Sequence, residues 1–230
     1  MRIEPWSSGD PALTRGYLQL LRAARAADDP LGPPVSERQL RYGLERSAMP
    51  MEAWFVPGPA AGDVQAWCHL GFPDRQNLDL ADTNIVVHPA ARRHGTGGEL
   101  LRHAAHRVAA RGRRVLSAWV REGGAGEAFA RKTGAAASGL TGVRRVQHLA
   151  GLPAGRVSAL RATAAAAAAG YSLETWTGLV PGDRIDQVAS VHNALRDAPH
   201  GENYEPTIWD AERIQTLINA EIAGLRCRAY

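Results

Sequence analysis

The sequence predicts an α/β fold with a mainly antiparallel sheet flanked by helices. Three observations predict it. A β-branched run at residues 85–87 stops at Pro89 and leads through Gly95, Gly97 and Gly98 into a helix-spaced run. Strand-like and helix-like stretches mix from residue 3 to residue 150, with no long polar or low-complexity gap. At 45% hydrophobic residues in 230, the chain can bury a substantial core, as one large domain or two small ones.

Taken in order, residues 3–6 read as a first strand. Ser7-Ser8-Gly9-Asp10-Pro11 carries turn and N-cap chemistry. Leu13, Tyr17, Leu20, Leu21 and Ala24 then fall on one helix face, and residues 28–34 break that helix. Ser36 caps a second helix with Leu40 and Leu44 inward. Trp54-Phe55-Val56 and residues 64–72 flank a Pro- and Gly-rich turn and read as a hairpin, and residues 78–87 form the next strand. Pro89 cannot donate to a sheet ladder, so that strand ends before it. Behind the glycines, Leu101, Ala104, Ala105 and Val108 recur at helical spacing, giving a helix over 97–110. A strand over 115–120, a short helix over 126–134 and a closing strand in 139–149 carrying Val143, Val146 and Leu149 complete the unit.

The glycine loop has the chemistry of an anion site. Glycine lets a ligand approach the backbone N–H groups. The first N–H groups of a helix lack internal acceptors, and the helix dipole adds positive potential. Arg92 and Arg93 add charge with fork geometry. The loop is no Walker motif, since no Gly-Lys-Ser/Thr follows. It also lacks the third glycine of a dinucleotide fingerprint.

Val87-His88-Pro89 followed by Arg92-Arg93-His94-Gly95-Thr96-Gly97 resembles the acetyl-CoA signature of the GCN5-related N-acetyltransferases (GNAT), V-x-P and then R/Q-x-x-G-x-G/A opening a helix. Residues 126–134 resemble that family's next short helix and terminal glycine, and the resemblance covers roughly residues 1–150. It implies the GNAT fold and transfer of an acetyl group from acetyl-CoA to a primary amine by direct attack on the thioester. It implies that backbone groups of Ile85, Val86 and Val87 pair with the pantetheine arm. It implies too that Arg92, Arg93, His94, Gly95, Thr96, Gly97 and Gly98 hold the pyrophosphate.

A free alkyl amine has a pKa of ~10, so a base must take its proton. Some members of the family carry a glutamate where Ala81 stands here. Asp79 and Asp82 flank it and are the candidate catalytic residues. Alternation puts Asp79 on the face of Ala81 and Asp82 opposite. A β-bulge, which the resemblance implies in this strand, would re-aim Asp82. Glu52, His69 and His88 are further base candidates. The family's tyrosine acid falls at Ala130, leaving solvent or Ser117 in its place. The substitutions Ala81 and Ala130 keep a second reading open, an acyl-CoA-binding scaffold that does no chemistry.

Net charge is +4, with arginines gathered at Arg92, Arg93, Arg102, Arg107, Arg111, Arg113 and Arg114. No aromatic residues interleave with them and no nucleic-acid motif is present, which argues against a nucleic-acid partner. Cys68 and Cys227 fit no metal-ligand pattern, and no metal is expected. With no apolar signal core at the start and no apolar run of ~20 residues, neither a membrane span nor secretion is indicated, and a cytoplasmic protein is expected.

Beyond residue 150 the chain changes character. Residues 156–169 strongly favour helix and read as a linker within 151–170. Residues 171–230 echo the start of the chain. Leu173-Glu174-Thr175-Trp176 resembles Ile3-Glu4-Pro5-Trp6, and Glu212-Arg213 resembles Glu37-Arg38. Ile185, Val188, Val191 and Leu195 give one apolar face, and Ile208, Ile214, Leu217, Ile218 and Ile222 another. The expected organisation is a domain at 1–150, a linker helix, and the N-terminal part of a second, similar domain at 171–230. The alternative is a complete chain that forms a homodimer. The acceptor is a small-molecule or peptide amine.

Overall fold

The computed structural model describes residues 1–7, 9–38, 40, 49–198 and 204–225, with side chains described as far as Ile218. Five strands lie in sequence order: β1 (Glu4–Pro5), β2 (Met51–Pro57), β3 (Val64–Gly71), β4 (Leu80–Val87) and β5 (Val115–Ser117). The first four are antiparallel neighbours, and β5 runs parallel to β4.

Helix α1 (Pro11–Asp28) covers one face of the sheet. Asp10 caps it, its Oδ1 accepting from the Ala12 and Leu13 N–H groups at 2.8 and 3.2 Å. Tyr17 and Leu20 pack there on Phe55, Val64 and Trp67. Helix α2 (Thr96–Ala110) covers the other face, burying Leu100, Ala104 and Val108 on Trp54, Ala66, Cys68, Leu70 and Ala81. The inward stripe of α2 thus runs through Leu100. Leu101 is half-buried and Ala105 exposed, one step round from the expected face. The β2–β3 ladder shifts register at Val56/Pro57, which turns Val64 onto the α1 face although Ala66 stays on the α2 face.

The bulge expected in β4 is not there. Its ladder with β3 runs without interruption from Ala66↔Val87 to Gly71↔Asp82. Strand β5 is also shorter than expected and stops at Ser117, leaving Trp119 70% exposed. The closing strand in 139–149 is absent too. Val143, Val146 and Leu149 are all exposed. Their spacing of three does not match the two-residue period of a strand, so no edge could bury all of them. For the second helix, Leu40 N–H bonds the Ser36 carbonyl, while Leu44 lies outside the described residues.

After α3 (Ala125–Lys132) and a long irregular stretch comes α4 (Arg156–Ala167), which buries nothing. Its alanine-rich sequence forms helix by propensity rather than by packing. The strand expected at 173–176 is absent, and Leu173 is almost fully exposed. Helices α5 (Ile185–Asn193) and α6 (Ala211–Leu225) enclose a small core of Val180, Ile185, Ala189 and Ile214. Val191 and Leu195, expected inward, are exposed. The strand expected at the chain end lies outside the described residues. Among the described residues no helix is long and apolar enough to cross a membrane, and no group of three or more His, Cys, Asp or Glu side chains could hold a metal ion.

Candidate active site

The site begins where β4 and β5 part. Their ladder has three rungs, Leu80↔Val115, Ala81↔Leu116 and Asp82↔Ser117. Beyond that last rung β4 continues to Val87 without β5 beside it. One edge of β4 therefore lies open beside the fork, a place where an extended ligand could add as a strand.

The faces of β4 alternate as expected. Ala81, Ile85 and Val87 pack into the α2-side core, and Val86 into the α1-side core. Asp82 and Asn84 consequently share the α1 face with Val86. His69, paired in register with Asn84, is on that face beside Trp67. Burial holds the His69 imidazole below its ordinary pKa, with the Asp82 charge pulling the other way, and its Nδ1 has no hydrogen-bond partner.

At the fork Asp82 meets a residue from far along the chain. The Tyr204 hydroxyl donates to Asp82 Oδ1 at 2.9 Å, and Ser117 Oγ lies 2.9 Å from the same Tyr204 oxygen. With the tyrosine proton directed at Asp82, Ser117 donates to Tyr204. Burial pushes the Tyr204 hydroxyl above its ordinary pKa; the Ser117 bond opposes this and Asp82 adds to it. No local sequence signal marks Tyr204, which lies 122 residues from Asp82.

The other carboxylate candidate is elsewhere. Asp79 precedes β4, is exposed, and pairs with Arg114 at 3.0 Å. Glu52 is held by Arg107 and Arg111. His88 Nδ1 accepts from the Ala90 N–H at 3.3 Å.

The glycine loop follows β4 through a 3-10 turn at Pro89–Ala91. Arg93 and Gly95 both take left-handed backbone, at φ 69° and 88°. Helix α2 then opens without a side-chain cap, so its first N–H groups have no side-chain acceptor. A Cβ on Gly98 would meet nothing within 4 Å, whereas one on Gly97 would lie 3.4 Å from the Phe129 ring. Gly97 thus serves the packing of α3 on α2, and Gly98 leaves open space at the helix end. Arg93 and His94 are exposed. Arg92 is half-buried and bonded to Asp28.

The remaining arginines are largely committed to the protein. Arg102 pairs with Glu99, and Arg113 donates to the Leu78 and Pro73 carbonyls.

Residues 20–134 match the model of the acetyltransferase (GNAT) family. The chain is similar to two mycothiol acetyltransferases. With that of Sanguibacter keddieii it is 37% identical over 128 residues, covering 56% of this chain and 36% of the relative. With that of Cellulomonas flavigena it is 32% identical over 120 residues, covering 51% and 32%. The chain thus spans about a third of the length of these curated relatives. In fold it is similar to a tandem GNAT protein from the clavulanic acid biosynthesis pathway, with TM-score 0.65 and 20% identity, covering 97% of this chain and 66% of that one. The family match takes in half of the chain, 115 residues of 230, and it spans α2, the glycine loop and the forked strands, so this chain belongs to the acetyltransferase (GNAT) family.

Proposed function

We propose that the protein transfers an acetyl group from acetyl-CoA to a primary amine of a small-molecule or peptide acceptor in the cytoplasm. The observation that carries this reading is the parting of β4 from β5 just after the Asp82↔Ser117 rung. It sets an open strand edge and a carboxylate beside an uncapped helix N-terminus.

The residues present fit the donor. The free edge of Ile85, Val86 and Val87 suits the amide-bearing arm of CoA, with the Val87 carbonyl already accepting from Arg92 Nε at 3.1 Å. The backbone N–H groups from Gly95 to Gly98, with Arg93 and His94, suit its pyrophosphate. Bound acetyl-CoA supplies an activated thioester. Asp82 takes the proton of the acceptor amine, making its nitrogen nucleophilic. No metal enters this scheme.

The domain at 1–150 carries this chemistry, 151–170 links, and 171–230 opens a second, similar domain. Exposed Trp119, Val143, Val146, Leu149, Tyr171 and Leu173 would then be covered by the remainder of that domain, or otherwise by a second copy of the chain.

Calorimetry with acetyl-CoA tests the donor site. Gly98→Asp places a negative charge in open space without a clash, and it should lower affinity by about tenfold or more. Unchanged affinity in the folded variant would move the phosphates elsewhere. Thiol release with a panel of primary amines tests the transfer. Tight binding with no release from any amine would favour the scaffold reading that Ala81 and Ala130 keep open.

A further inference from the structure

The C-terminal unit docks at one place on the first domain, and its bonds converge on the fork. Asn77, in the turn between β3 and β4, takes left-handed backbone at φ 57°. It meets Glu205 through three hydrogen bonds. Its N–H donates to the Glu205 carboxylate at 3.0 Å. Its side-chain amide donates to the Glu205 carbonyl at 3.1 Å and accepts from the Glu205 N–H at 2.6 Å. Beside this clamp Arg75 donates to Asp210 at 2.8 Å and to Glu212 at 2.5 Å, and Arg213 donates to Gln76. Exposed ion pairs of this kind contribute about 0–1 kcal/mol each, so they serve registration more than adhesion. The registered neighbour of Glu205 is Tyr204, whose hydroxyl bridges Ser117 on β5 and Asp82 on β4.

We propose that the C-terminal unit is a working part of this active site, with Tyr204 as a positioning residue that holds the Asp82 carboxylate for proton removal from the acceptor amine. The proposal rests on the acetyl-transfer reading above. The Tyr204 hydroxyl engages Oδ1 and so fixes the carboxylate rotamer. Among the described residues Oδ2 makes no hydrogen bond, and it is the oxygen that accepts the amine proton; Asp82 then releases that proton to solvent and returns to carboxylate. The charged and titratable groups facing Asp82 are Tyr204 and His69. Burial keeps the Tyr204 hydroxyl protonated through the neutral range, so the donor is present when Asp82 acts.

The test uses the full chain, acetyl-CoA and a panel of simple primary amines, with thiol release as readout. Tyr204→Phe should lower kcat by about tenfold or more, the scale of loss for a misplaced catalytic group. The acetyl-CoA affinity from calorimetry should stay within about twofold. Asn77→Gly, which suits the left-handed backbone but deletes the clamp, should give the same pattern. In an Asp82→Asn background, Tyr204→Phe should change kcat by less than about twofold, since partners in one unit are not additive. A wild-type kcat in Tyr204→Phe overturns the proposal, and so does a loss that multiplies in full on top of Asp82→Asn. Wild-type protein that binds acetyl-CoA yet releases no thiol with any amine overturns the acetyl-transfer reading and this proposal together. A silent Tyr204→Phe in an active enzyme overturns this proposal alone.

Discussion

Arg92 is bound through all three of its guanidinium nitrogens, to Asp28 and to β4. Nη1 and Nη2 donate to the two Asp28 oxygens at 2.7 Å each, and Nε donates to the Val87 carbonyl at 3.1 Å. Asp28 ends α1 and Val87 ends β4, so this side chain ties a helix to the strand that leads into the glycine loop. The bond to Asp28 holds the Arg92 guanidinium above its ordinary pKa.

The two loop arginines should therefore behave differently. Arg92→Ala should lower stability by about 1 kcal/mol, the upper end for a partly exposed pair, or ~3 °C in Tm for a chain of this size. Arg93 is exposed and makes no side-chain bond among the described residues, and it takes a left-handed backbone. Arg93→Gly should leave Tm unchanged or slightly raised. It should weaken acetyl-CoA about tenfold by removing a phosphate contact. Calorimetry and thermal denaturation read the two effects separately. Full affinity in Arg93→Gly would remove this arginine from the phosphate site.

The two aspartates at the start of β4 should separate just as clearly. Asp82→Asn should lower kcat/KM by about 10²-fold or more, the usual range for loss of a general base. Its acetyl-CoA affinity should be nearly unchanged. Asp79→Asn removes only an exposed pair with Arg114 and should be nearly silent in steady-state kinetics. A reversed pattern would transfer the base role to Asp79.

Asp29 gathers Arg25, Arg121 and Arg144 around one carboxylate. Hydrogen bonds from Arg144 and then Arg121 hold its pKa below the ordinary carboxylate value. A carboxyl group with a depressed folded-state pKa adds stability above its unfolded pKa and loses it as pH falls through the folded value. Asp29→Asn should therefore lower Tm at pH 7, and the gap should close below about pH 3. Differential scanning calorimetry at several pH values checks this. A gap that persists in acid would mean that Asp29 acts by packing rather than by charge.

Some of this was legible because the causes are local. The Asp10-Pro11 start of α1 is set by a side chain two residues from the N–H it accepts from. The turn of Gly95 into α2 depends on a backbone conformation that glycine adopts without strain. The alternation along β4 placed Asp82 opposite Ala81, and the uninterrupted ladder keeps it there. Where spacing was forced onto a pattern it did not fit, the expectation failed. Val143, Val146 and Leu149 recur every three residues, and no strand forms through them.

The sequence by itself determined the α/β layout, the strand-loop-helix at residues 84–110 and the residues that suit CoA phosphates, because short-range sterics and hydrophobic period govern all three. Only the tertiary structure decided which of those groups stay free. It committed Arg92 to Asp28, which is 64 residues away. It ended β5 at Ser117 and so opened the fork. It brought Tyr204 to Asp82 across 122 residues. Such pairings depend on how separate elements dock in space, and one-dimensional spacing holds no record of that docking.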